Sequence, residues 1–206
     1  NFNNNDLLCV RPSSESPDWG GPSAIMNIGM NNLRYKELKQ KLGADAASSI
    51  YINFVQAYSL HVARLDPDIF NTVETQNSAA LAKVLEIYEN ETEHEFPQDI
   101  TTQLWQILRS MARTWESTTA RLLRPAKGAP LDAGLGLVIQ VMAFGLGEGE
   151  CGTGTLQLID ENDGKPKIKG RYKEQSQLRP EKSSEGALYL TKDNRGWSLE
   201  DNNEEI

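Results

Sequence analysis

The sequence is poor in cysteine and histidine, with two of each in 206 residues. Cys9 and Cys151 support neither a disulfide framework nor a spaced thiolate metal site. No metal site is expected, and a reducing, cytoplasmic setting is the default. No apolar run approaches the roughly 20 residues needed to span a bilayer. The start lacks the basic and apolar regions of a signal peptide, so no membrane partner is expected. Positive charge is in deficit, with 21 Lys and Arg against 29 Asp and Glu, a net charge of −8 and a pI near 4.9. On average such a chain repels a phosphate backbone, which argues against nucleic acid as a partner. One local exception is Lys165 to Lys173, where five of nine residues are cationic. Internal repeats are absent. The chain opens on Asn1-Phe2-Asn3-Asn4-Asn5, without an initiator methionine, and is expected to be a processed chain or a fragment.

A length of 206 residues suits one domain or two closely packed lobes. A chain of this size can bury roughly 70% of its unfolded surface, enough for a core without staples. The hydrophobic content of 38% and mean hydropathy of −0.53 are modest but do not indicate disorder.

Four segments are expected. Residues 1–32 hold a short apolar strand, Leu7-Leu8-Cys9-Val10, delivering Arg11 at its end, then a Ser/Pro/Gly-rich loop. Residues 33–124 read as a helical lobe. Ile50, Phe54, Tyr58, His61 and Leu65 form one apolar stripe at three- and four-residue steps, and Leu81, Val84, Leu85 and Tyr88 a second. Leu104, Leu108, Met111, Trp115, Leu122 and Leu123 make a third, introduced by Phe96-Pro97-Gln98-Asp99. Residues 125–192 read as a β-rich lobe, with strands at 136–144, 155–159, 166–172 and 187–192 and a hairpin turn at 160–164. Residues 193–206 form an acidic tail. The class is α+β, a helical lobe followed by an antiparallel β lobe.

The densest local signal is Val138-Ile139-Gln140-Val141-Met142-Ala143-Phe144, an apolar strand that feeds five glycines in the ten residues from Gly145 to Gly154. Glycine lets bare backbone approach a ligand, although a lone Gly-rich loop is more often a tight turn. Gly147-x-Gly149-x-x-Gly152 matches the dinucleotide fingerprint in letters only. That fingerprint must open a helix, whereas Gly152 leads into a strand pattern. Glu148 and Glu150 would also set negative charge beside a pyrophosphate.

Several separated segments, in order, resemble pyruvate phosphate dikinase. Leu8-Cys9-Val10-Arg11 resembles the family's strand ending in Val-Arg-Ser-Gly, and Asn27-Ile28-Gly29-Met30-Asn31-Asn32 its Asn-Leu-Gly-Leu-Asn-Asp. Phe96-Pro97-Gln98-Asp99, Gln103-Leu104 and Trp115 match a helix start with the same later spacing, and Gln140 to Gly154 match Gln-x-Met followed by Ser-Gly-Thr-Gly. The resemblance covers about residues 7–180 and implies part of an N-terminal ATP-grasp domain. The implied activity is phosphoryl transfer, with ATP bound between two lobes and further transfer domains, in the same protein or a partner chain, as partners. Carried over by position, Arg11 would be the catalytic, phosphate-holding residue. Gln140, Met142 and Ala143 would form the adenine hinge, Gln177 would match a family glutamine, and Lys165 would lie at the phosphates.

This sequence departs from the family at the metal. The family arginine after Gly-Thr-Gly is Ile159 here, and two family carboxylates fall at Lys165 and Arg171. A hard cation needs oxygen donors, so these changes put Mg²⁺ in doubt. The family's Gly-Gly-Lys-Gly segment is expected upstream of residue 1. Neither His61, on an apolar stripe, nor His94, between two glutamates, resembles a phosphohistidine. Three functional readings stay open. The leading one is an ATP-binding phosphotransferase domain that does not turn over as this chain alone. The second is a degenerate module whose cationic strand holds an anion or a protein partner, and the third is a helical interaction domain.

Overall fold

The computed structural model describes residues 6–73, 77–147, 149–160, 163–176 and 187–191. It is α+β, with five α-helices and two three-stranded antiparallel sheets among the described residues. The chain divides into two compact units, Asn1–Met142 and Ala143–Ile206.

The first unit holds strands β1 (Leu8–Ser13), β2 (Ile25–Ile28) and β3 (Gly136–Val141), in the order β2-β1-β3. Its helices are α1 (Asn32–Leu42), α2 (Ala44–Tyr58), α3 (Ser78–Thr92), α4 (Ile100–Trp115) and α5 (Thr118–Ala126). Four starts are set by side-chain caps. Asn31, Asn77, Asp99 and Ser117 each accept the amide N–H three residues on, at 2.8, 3.0, 2.7 and 3.3 Å. Asp99 also accepts the Thr102 hydroxyl, and these bonds hold its carboxyl below the ordinary value. Helix α4 therefore begins after the Phe96-Pro97-Gln98-Asp99 motif, which is its entry rather than its first turn.

The core of this unit is aromatic. Phe96 sits among the rings of Tyr51, Phe54, Tyr58 and Tyr88, with centroids 5.2–5.9 Å apart and edge-to-face tilts. Leu8, Val10, Ile25 and Ile28 complete it from the sheet, and all four are almost fully buried. The stripe continuing from α2 through His61 does not stay α-helical. Residues Ser59–Ala63 form a π-turn that ends on Arg64 at φ 60°. Outside the aromatic core, the buried Arg124 guanidinium of α5 lies 4.0 Å from the Trp115 ring centroid and donates to the Trp115 carbonyl.

Three details differ from the sequence reading. Arg11 lies inside β1 rather than at its end, because β1 continues to Ser13 in register with β3. Ile25–Ile28, just past the Ser/Pro/Gly-rich residues 12–24 expected as a loop, form a strand to which no element was assigned. Residues 125–142, expected with the later β lobe, fall in the first unit, because β3 pairs with β1 from Leu8↔Val141 to Ser13↔Gly136.

The second unit is a meander of β4 (Gly152–Ile159), β5 (Pro166–Glu174) and β6 (Ala187–Thr191). The Asp160 N–H donates to the Lys165 carbonyl at 2.9 Å, and the Gly164 N–H to the Asp160 carbonyl at 2.9 Å, closing the turn between β4 and β5. Glu161 and Asn162 of that turn, Glu148, Gln177 and the 193–206 tail lie outside the described residues.

Candidate functional site

Residues directly opposite in an antiparallel pair share a face. Leu8 and Val10 face the core, so Cys9 and Arg11, with their partners Gln140 and Val138, take the opposite face. That face is closed at Cys9 and opens at Arg11 and Gln140, both exposed, beside Val138 at 47% exposure. Arg11 and Gln140 are diagonal neighbours across the pair, with Cα atoms roughly 7–8 Å apart. Two of the expected site residues are thus brought together by strand register although 129 positions separate them in sequence. Burial pushes the Cys9 thiol up, and the Arg11 guanidinium partly opposes that shift. Among the described residues Arg11 joins no ion pair.

Met142 follows at the end of β3. Its N–H donates to the Leu7 carbonyl at 2.8 Å, so that N–H is engaged within the sheet. Its sulfur accepts the Asn27 N–H at 3.0 Å. Asn27 has φ 63°, is almost fully buried, and its side-chain oxygen meets no hydrogen-bond partner among the described residues. Ala143, next in sequence, is the first residue of the second unit.

In the second unit the glycines divide into two kinds. A Cβ at Gly145 would collide with the Ser176 carbonyl, one at Gly152 with the Tyr172 ring, and one at Gly154 with the Arg171 carbonyl at 2.5 Å. These three are small because the protein's own atoms occupy the space. Gly149, at φ 80°, and Gly164, at φ 69°, have open space around them, so bare backbone meets solvent there. Gln175 clamps the loop of Gly149. Its amide nitrogen donates to the Gly147 and Gly149 carbonyls at 3.1 and 3.0 Å, and its oxygen accepts the Gly147 N–H at 3.2 Å.

Lys165 is exposed and pairs with Asp163 at 2.9 Å within its own turn. An exposed pair of this kind is worth little. Further along β5, Lys169, Arg171 and Lys173 share one face, opposite Gln157, Thr155 and Thr153. Among the described residues no three His, Cys, Asp or Glu side chains gather as a metal site.

Gln103 of α4 is a fully buried polar side chain with every hydrogen bond made to backbone. Its oxygen accepts the Gly29 N–H at 2.8 Å, and its nitrogen donates to the Met30 and Pro97 carbonyls at 3.0 and 2.7 Å. Gln98 does the same at the neighbouring loop, accepting the Asn32 N–H at 2.8 Å and donating to Tyr51 and the Phe96 carbonyl. The Asn-Ile-Gly-Met-Asn-Asn and Phe-Pro-Gln-Asp motifs are thus two halves of one hydrogen-bonded joint. Their distance in sequence hid that role. Gln175, adjacent to a loop of glycines, gave no signal of its own.

No protein-family model matches the chain. It is similar to pyruvate, phosphate dikinase of Rhizobium meliloti (strain 1021), at 25% identity over 184 residues, and to that of Clostridium symbiosum, at 25% over 185. The chloroplastic pyruvate, phosphate dikinase of Flaveria pringlei is 26% identical over 183 residues. Each match takes in 81% of this chain and 19–21% of the relative. The resemblance read from separated motifs is therefore a similarity along most of the chain, and the chain spans about a fifth of the length of the curated relatives it matches. No helix among the described residues is long and apolar enough to cross a membrane.

Proposed function

We propose that this chain is the nucleotide-binding part of a phosphotransferase of the pyruvate phosphate dikinase type, with an ATP-grasp-like origin and ATP as its ligand. The observation that carries the reading is the open sheet face on which Arg11 and Gln140 are neighbours. An exposed guanidinium in no ion pair among the described residues is suited to a phosphate, which it can hold bidentately. Gln140 offers both a donor and an acceptor beside it. Met142, with its N–H engaged by Leu7, would meet adenine through its carbonyl. Ala143, Lys165 and Gln177 enter the reading through the resemblance alone.

The residues present do not fit Mg²⁺ in the family's manner. Lys165 and Arg171 stand at the two carboxylate positions, and the described residues offer no acidic cluster. No step is therefore assigned to the metal.

The test is calorimetric titration of ATP with and without Mg²⁺ into the folded chain. Binding in the micromolar range, little changed by Mg²⁺, is expected. Arg11→Ala should weaken it by about 1–3 kcal/mol, the scale of a charge-assisted phosphate contact. An unchanged affinity in that variant removes Arg11 from the site. No heat at millimolar ATP, with the fold verified by circular dichroism, rejects nucleotide binding by this chain.

A further inference from the structure

A cavity of about 470 Å³ lies in the first unit, between the π-turn after α2, the C-terminal part of α3, and α4. None of the residues discussed for nucleotide lines it. Its volume falls within the range of small-molecule sites, and far exceeds what one ion requires. The cavity owes one wall to the irregular backbone. At Ser59–Ala63 helix α2 widens, bringing Val62 and Ala63 into the lining. Ser110 of α4 donates to the His61 carbonyl and pins this turn. Turns of this kind, which depart from the α-helical pattern, recur at functional sites.

The lining combines apolar and cationic groups in a definite arrangement. Val62, Ala63 and Leu65 supply an apolar wall. Beside it, the Tyr58 hydroxyl donates to Gln106, and burial raises the Tyr58 pKa, so the phenol stays protonated. Arg109 and Arg113, one turn apart on α4, both border the cavity, and neither is in an ion pair with any described residue. Residues four apart project on the same side of a helix, so both side chains reach the cavity from one face of α4. Glu91 borders the same cavity from α3. Its carboxylate repels a second negative group and so favours a ligand with a single anionic head.

We infer that this cavity is a second binding site, distinct from the Arg11 face, for a small organic anion with one phosphate or carboxylate head and an apolar body. The head is held by Arg109 and Arg113, and the body lies on Val62 and Leu65. A polyphosphate is disfavoured there by Glu91.

The test uses phenyl phosphate, benzoate and phenol as probes of the whole chain, followed by calorimetry and by amide chemical shifts. Phenyl phosphate or benzoate should perturb residues 58–65, 88–92 and 106–113, and the better of the two identifies the head group. Phenol should bind at least tenfold more weakly. The double variant Arg109→Gln, Arg113→Gln should reduce affinity for the preferred anion by tenfold or more. Both side chains are exposed, and an unchanged melting curve verifies the fold. Arg11→Ala should leave this affinity unchanged, which separates the site from the nucleotide reading. Equal binding of phenol and the anions, shifts confined to other residues, or full affinity in the double variant would overturn the proposal.

Discussion

The two sheets are alike in size and pairing but are held by different means. The β2-β1-β3 sheet buries one face along β1 and β2, with Val10 and Ile28 at 0% exposure, and leaves it partly open at Val141 of β3. Its other face opens at Arg11, Val138 and Gln140. The β4-β5-β6 sheet leaves Leu156 and Leu158 more than half exposed, and its close contacts are glycine backbone against Tyr172 and neighbouring carbonyls. The first sheet is therefore stabilised by apolar burial, worth roughly 25 cal/mol per Å². Shape and the backbone ladder hold the second. This difference explains why the family-like motifs behave differently in the two units. In the first they form a buried joint, and in the second they form a tight turn.

That contrast can be broken by mutation. Phe96→Ala should have the largest effect, because it empties the centre of four aromatic contacts. A loss of about 3–5 kcal/mol is expected by urea denaturation, whereas Leu156→Ala should cost well under a third of that. Equal losses would mean that the second sheet depends on burial as much as the first. Gln103→Leu comes next, at about 2–3 kcal/mol, since two buried backbone groups and the part-buried Pro97 carbonyl lose their partner. A cost near zero would show that the joint between residues 29–30 and 97 is dispensable.

Glycine substitutions sharpen the comparison from the other side. Gly152→Ala should cost about 1–3 kcal/mol because the Tyr172 ring and the Lys173 carbonyl, 2.5 Å from the added Cβ, must both move. Gly149→Ala meets no atom and should cost about 1 kcal/mol, from its left-handed φ alone. Reversal of that order would place the constraint in backbone conformation rather than packing.

The smallest effect is on pH dependence. Burial holds His61 below its ordinary value of 6.5, so the unfolded chain binds that proton more readily. Stability should fall as pH drops below 6.5, and His61→Gln should flatten that part of the profile. Burial raises the Cys9 thiol from 9.0, which has the opposite sign and removes stability as pH rises above 9.0. Denaturant midpoints at pH 5, 7 and 9.5 would check both slopes.

Much of the fold was legible because its signals are local. The apolar steps of α2 to α4, the capping Asp99, and the turn residues near Gly164 each act within a few positions. The π-turn at Ser59 was not legible, since the apolar stripe through His61 and Leu65 suits a continuous helix. What defeats the pattern there is the pinning of the His61 carbonyl by Ser110, 49 residues away. Arg11 and Gln140 were named separately from motifs, and their adjacency required the β1–β3 register. The glycines from 145 to 154 were read as room for a ligand. For Gly145, Gly152 and Gly154 the structure gives another cause, because Ser176, Tyr172 and Arg171 fill that room.

By itself, the sequence determined the α+β class, most helix positions and the similarity to pyruvate, phosphate dikinases, because periodicity, caps and motif spacing are written along the chain. Only the tertiary structure decided which face of β1 is open, what Gln103 joins, and that an open cavity bordered by Arg109 and Arg113 lies between the turn after α2, α3 and α4. Those outcomes depend on which distant segments compete for the same buried space and the same hydrogen bonds, and that competition is resolved only when the chain packs.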